Sequence, residues 1–256
     1  PVVDTYDKAP LLANYADNLI IPIYKELEEQ VDDYLGDVES FTANPDSISL
    51  QLLQARWFEL SYIWQLAQAY NFGPALSSSS SLVENIGSWP VNTDQLSLQI
   101  SSQDTSLQNF EGDTKGIYAL EYLIWGEGSL TALLKFYTGP NRTRAYLRSV
   151  ARDILVQART VREAWENGYR DSFVNDVSKE NGSSLSLLFN SFIQSYDRLQ
   201  VCKVSEPLSR GPRQVEAYYS SSSYELLYIH FDELIFLWRG THYNSIHSVR
   251  SYGAGF

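Results

Sequence analysis

From Ile117 to Trp125 the chain reads Ile-Tyr-Ala-Leu-Glu-Tyr-Leu-Ile-Trp, nine residues with one charge among them, Glu121. A run this apolar and aromatic is one to be buried on every side. Removing an ionised carboxylate from water costs several kcal/mol unless a cation, a metal or convergent hydrogen bonds compensate, so Glu121 marks either a buried pair or a site. At about 100° per residue, Tyr118, Glu121 and Trp125 share one helical stripe, while Ile117, Leu120, Leu123 and Ile124 cover the rest of the contact surface. Phenol, carboxylate and indole are thereby expected to point the same way.

The pattern around this run is helical almost throughout. Residues from about Pro10 to Tyr34 place Leu12, Tyr15, Leu19, Ile23, Leu27 and Val31 at amphipathic spacing, with a bend expected at Pro22. A second helix runs from about Ser47 to Tyr70 and stops at Asn71-Phe72-Gly73-Pro74. The Ser-, Asn- and Gln-rich stretch from Leu76 to Asp113, with Ser77 to Ser81 as a low-complexity patch, reads as a long loop holding short helices, one starting after Asn92-Thr93-Asp94. The apolar helix then spans Thr114 to Gly126, a short helix Leu130 to Tyr137, and a long one Arg142 to Val177. Helical period resumes from Leu185 to Val201, Pro207 to Pro212 reads as a loop carrying Arg210 and Arg213, and a strongly apolar helix covers Ser222 to Arg239 before a Gly-rich tail. Sustained alternation of period two is absent, so strands are not expected.

The chain has 256 residues, 44% of them hydrophobic, enough for a large core. Each half holds an amphipathic helix followed by a heavily apolar one with embedded carboxylates. The expected architecture is therefore all-α, two similar packed helical bundles over residues 1–126 and 127–256, with a ligand site at their interface. A formal net charge of −12 argues against nucleic acid or an anionic lipid surface as partner. The longest apolar runs, Leu226 to Ile229 and Leu234 to Trp238, are broken by His230, Asp232 and Glu233, and no segment reaches membrane-spanning length. Cys202 is the only cysteine, which excludes an internal disulfide and a thiolate zinc site. No methionine occurs, so the chain reads as a mature or trimmed form, with any export signal removed.

Three apolar helices carry ionisable groups whose burial is expected: Glu121, Glu59 within Arg56 to Trp64, and the set His230, Asp232 and Glu233. Arg56 and Glu59 stand at i and i+3 and can satisfy each other. His230 and Glu233 repeat that spacing, as do Tyr118 and Glu121, and inward-facing pairs of this kind build metal sites in helical bundles. The zinc-protease signature H-E-x-x-H is not made by His230, His242 or His247, and the paired Glu-x-x-His of di-iron bundles is absent. Nucleophile-elbow and phosphate-cradling glycine patterns are missing as well.

Gly116-Ile117-Tyr118-Ala119-Leu120-Glu121 resembles the G-x-H-x-x-E hallmark of imelysin-like proteins, with Tyr118 in the histidine position. Further stretches fit that family in order: Tyr15-Ala16-Asp17, Ala55-Arg56-Trp57 through Phe72-Gly73-Pro74, Ile86-Gly87-Ser88-Trp89-Pro90, Trp165-Glu166-Asn167-Gly168-Tyr169, Glu206-Pro207-Leu208, and Glu216 with Ser220 to Ser223. The resemblance implies a fold of two four-helix bundles, export to the bacterial periplasm or outer membrane, and a link to iron uptake. It implies a non-catalytic binding protein whose partners are a metal ion or a small iron-containing ligand and other iron-uptake components. Its peptidase name implies instead a zinc-dependent enzyme, and a third reading is an interaction protein with a degenerate, metal-free pocket. Tyr118 and Glu121 are the hallmark positions and the candidate ligands of an iron or zinc ion. Ser220 and Ser223 are expected to supply hydroxyls, Trp57 and Trp89 to wall the pocket, and His230 is added for its pairing with Glu233. A phenolate suits ferric iron better than zinc. Alternatively Tyr118 fills the histidine's space and hydrogen-bonds Glu121 without metal.

Overall fold

A first long helical rod starts where Pro10 sits in the opening turn of α1 (Ala9–Tyr15) and continues through a π-helical turn, Ala16–Ile20, into α2 (Ile21–Ala43). The wide turn precedes Pro22, which lacks an N–H and crowds the carbonyl four residues back. The Ile21 N–H reaches the Ala16 carbonyl, five residues back, so the expected bend is met by a widened turn that keeps the rod helical. Asp46 then caps α3 (Ser47–Ala67) by accepting from the Ser49 N–H at 2.7 Å. The computed structural model describes residues 6–76, 81–103, 105–107, 111–126, 128–138, 142–243 and 249–251, with side chains left out at 137–138, 241–243 and 249–251. Ser77 to Ser80 of the low-complexity patch lie outside these residues.

Within the serine-rich stretch two short helices form, α4 (Leu82–Ile86) and α5 (Thr93–Ser102), the second capped by Asn92 and so beginning two residues before the expected start. Next come α6 (Gly116–Trp125) and α7 (Ser129–Thr138). The expected helix from Arg142 to Val177 is interrupted. It runs as α8 (Arg142–Ala164), a π-helical turn at Trp165–Tyr169 with Gly168 at φ +124°, and α9 (Arg170–Asn175), because Asn167 and Gly168 leave helical geometry. Conversely, helix persists where a loop is expected. From α10 (Ser184–Asp197) the chain passes through a π-helical stretch, Arg198–Ser205, into α11 (Glu206–Arg210), whose first turn accommodates Pro207. After α12 (Ser223–Arg239), capped by Gly240 at φ +63°, a two-stranded antiparallel ribbon pairs β1 (Thr241–Tyr243) with β2 (Val249–Ser251). Three-residue strands carry no readable alternation, which is why the sequence does not announce them.

Helix α2 packs against α3 and α8, and α6 packs against the same two, so α2, α3, α6 and α8 close a four-helix ring. Two helices of this ring precede the heavily apolar run and one follows it. Helices α10 and α12 pack on each other and on the far end of α3, where the chain turns at Gln68–Tyr70. One contiguous apolar core runs from Leu11 to Leu237 through both groups. The apolar run is buried as its composition demands, with Ile117 to Glu121, Leu123 and Ile124 all inside. Glu59 is not. Its carboxylate is half-exposed and pairs with Arg56 at 2.8 Å, since position 59 falls on the outer side of α3. Among the described residues no helix is long and apolar enough to cross a membrane.

Candidate functional site

Helix α6 enters the core at Gly116, where φ is +79° and a Cβ would lie 2.3 Å from the Ile86 carbonyl oxygen, an approach only glycine permits. The next residue's carbonyl accepts from the Trp57 indole N–H at 2.8 Å, which ties α6 to α3. Tyr118 and Glu121 therefore leave α6 on the expected common face, and both reach the segment between Glu216 and Ser220. Their partners differ from the expectation that they bond each other. The Tyr118 hydroxyl donates to Glu216 Oε1, and Glu121 Oε1 accepts from the Ser220 backbone N–H at 2.6 Å.

Around Tyr118 lies a buried polar cluster drawn from four places in the chain. Lys203 pairs with Glu216 Oε2 at 2.7 Å, both side chains almost wholly inside, and Lys203 also donates to Gln65 Oε1. Gln65 donates to Glu216 Oε1 at 3.2 Å and accepts from Gln68. Above the cluster, the Trp89 ring stands edge-on to Tyr118, with centroids 5.5 Å apart. The Arg198 guanidinium lies 4.4 Å from the Trp89 centroid and donates to the Gly87 carbonyl, while the Lys203 ammonium lies 5.8 Å from the same ring. The π-helical stretch makes this arrangement. Its hydrogen bonds run five residues back, which brings Arg198 and Lys203 onto one face, whereas α-helical winding would turn them well apart.

Burial sets the proton affinities. It pushes Glu121 up to about 7, against the pull of the Ser220 and Tyr219 N–H groups, and it holds Tyr118 well above its ordinary range, with Glu216 adding to the effect. Burial brings Lys203 down to about 8, opposed by Glu216. Arg198 is likewise lowered by burial.

Glu121 lines a cleft of about 220 Å³ that also holds Trp89, Thr93, Arg213, Tyr218 and Tyr219. Arg213 is exposed, so the cleft carries a cation on its outer side and a buried carboxyl inside. Ser220 contributes its backbone N–H to Glu121, and its hydroxyl donates to the Ala217 carbonyl at 3.3 Å. The Ser223 hydroxyl donates to the Glu216 carbonyl and so shapes the loop. Trp57 sits behind Tyr118 in the core, edge-on at 6.5 Å, and the Trp89 indole N–H is held by the Gln214 carbonyl at 3.1 Å.

His230 belongs to a second buried cluster on α12. Its Nε2 is 2.7 Å from Ser195 Oγ, whereas Glu233 takes the Tyr70 hydroxyl at 3.1 Å, so the two residues of the i, i+3 pair have different partners. Burial pushes His230 well below and Glu233 well above their ordinary ranges, in each case favouring the neutral form. The side chains of His242 and His247 lie outside the described residues. Lys203, Arg198 and Gln65 are site residues that spacing does not single out, and Arg213 is legible only as a loop cation; the sequence signal for Lys203 is its charge within the apolar surroundings of Val201 to Val204.

The G-x-Y-x-x-E start of α6 is thus buried against the segment from Glu216 to Ser220, in a fold that is helical apart from its short two-stranded ribbon. The imelysin family profile, of the M75 peptidase class, matches residues 20–249, and the chain belongs to that family. Two solved structures share the fold. One is assigned as an iron-regulated protein A precursor from Parabacteroides distasonis, with a TM-score of 0.76 and 15% identity over 94% of this chain and 75% of that one. The other is an imelysin-like protein from Psychrobacter arcticus, with a TM-score of 0.71 and 18% identity over 92% of this chain and 76% of that one. A search of curated proteins finds no match.

Proposed function

We propose that this chain is an exported, non-catalytic binding protein that takes a small anionic ligand, in the manner of a ferric chelate, into the cleft beside Trp89 and Glu121. The observation that carries the reading is the cleft's composition. Arg213 offers a cation for carboxylate or catecholate oxygens, the Tyr218, Tyr219 and Trp89 rings offer flat apolar surface, and Glu121 offers an acid that exchanges its proton near neutrality. The iron connection rests on the name of the Parabacteroides relative and on family membership.

A bare metal ion does not fit the hallmark residues as they stand. Tyr118 keeps its proton and donates it in a hydrogen bond to Glu216, Glu216 is paired with Lys203, and Glu121 accepts from backbone N–H groups. Zinc also prefers neutral imidazole, which this position lacks. Among the described residues no three His, Cys, Asp or Glu gather as a ligand set.

The reading is tested by melting the protein with ferric citrate, citrate, ferric ion and zinc in separate series. Ferric citrate is expected to raise Tm with concentration, and Arg213→Ala to abolish the shift, because a ligand selective for the folded state stabilises by mass action. Zinc alone raising Tm, together with peptide cleavage lost in Glu121→Gln, would overturn it in favour of a peptidase.

A further inference from the structure

Helix α12 carries two apolar faces. Leu226, His230, Glu233, Leu234 and Leu237 are buried in the molecule, whereas Tyr224, Tyr228, Phe231 and Trp238 are exposed, with half-buried Ile235 among them. The second set is spaced four, three, four and three residues apart, the repeat of a helix seam that packs on another helix. Helix α10 does the same. Phe189, Ile193 and Tyr196 are exposed at spacings of four and three, Val201 and Val204 continue the exposure through the π-helical stretch, and Leu208 extends it into α11. The two stripes adjoin, because Phe192 and Trp238 meet at 5.5 Å on the seam between the helices.

The adjoining stripes together expose ten large apolar side chains, where an ordinary monomer scatters such residues singly over its surface. Two adjacent helices with outward seams are half of a four-helix bundle. We infer that two copies of this chain pair through α10 and α12 about a two-fold axis and close an intermolecular four-helix bundle.

Charge selects a second copy running antiparallel. Glu225 lies in the first turn of α12 and Arg239 in the last, both exposed on one flank of the aromatic stripe. Antiparallel pairing centred on Phe231 sets Tyr224 against the partner's Trp238 and Glu225 beside the partner's Arg239, twice over, and opposes the helix dipoles. Asp232 meets its own copy near the axis, a like-charge contact that weakens the dimer.

Sedimentation equilibrium across the micromolar range tests this. The wild-type protein is expected to be a dimer. Phe231→Glu is expected to shift it to monomer by at least tenfold in Kd with unchanged helical circular dichroism, since the position is half-exposed and outside the core. Glu225→Arg and Arg239→Glu should each weaken the dimer and restore it together, and Asp232→Asn should tighten it. In a Cys202→Ser background, Phe231→Cys should cross-link to its own copy while Glu225→Cys does not. A wild-type monomer throughout the range, or a dimer indifferent to Phe231→Glu, overturns the inference and leaves the face to other polypeptide, such as the further quarter that the solved relatives carry beyond the match.

Discussion

Lys203 and Glu216 are opposite charges taken almost wholly out of water, and each is tolerable only in the presence of the other. Lys203→Met is therefore expected to destabilise the fold by about 3–5 kcal/mol, and Lys203→Met with Glu216→Gln by much less, as read from urea unfolding. Glu121 gives a pH dependence of definite sign. Folded, it holds its proton to about 7, against 4.5 for the free group, so the folded state binds more protons between those values. Stability should fall as pH rises from about 4.5 to about 7, by about 3 kcal/mol, and Glu121→Gln should flatten that slope. Glu121 is legible in the sequence because a lone acid in an apolar run has few explanations. Lys203 and Gln65 are not, because a charge or an amide on a mixed helix is as compatible with solvent as with a buried partner 138 positions away.

At the scale of elements, helix starts and stops follow local chemistry, and most are where the sequence puts them. Asp46, Asn92 and Gly240 cap the helices beside them for the reasons that make such residues good caps. Gly116 is the position where local and tertiary demands meet. Gly116→Ala adds a methyl at positive φ and drives it against the Ile86 carbonyl, so a loss of more than about 2 kcal/mol is expected in thermal or urea denaturation. Gly168→Ala, with open space around its Cβ, should cost only the backbone strain and provides the control. The misread elements are the π-helical ones and the short ribbon. A helix that widens at Ala16–Ile20 or Arg198–Ser205 keeps an ordinary apolar pattern, and Pro207 reads as a break unless the preceding turns are known to continue into it.

Across the whole molecule, the core is continuous from α1 to α12, and α8 locks onto α2 through Arg159 and Arg162, which both bind Glu28. Calorimetry is expected to show one unfolding transition, with calorimetric and van't Hoff enthalpies equal; two resolved transitions would mean that the α10 and α12 group melts apart from the ring. Legible in the residues alone are the helical character of the chain, the start of most helices, the burial of one carboxylate and the family to which the order of motifs belongs. These are properties of periodicity and local solvation, which act over a few residues. Packing settles the rest: which groups satisfy that carboxylate, that Tyr118 serves Glu216 rather than Glu121, that His230 and Glu233 have different partners, and that two apolar seams face outward. Partners far apart in sequence are chosen by packing, and packing depends on the whole set of contacts at once rather than on any stretch read alone.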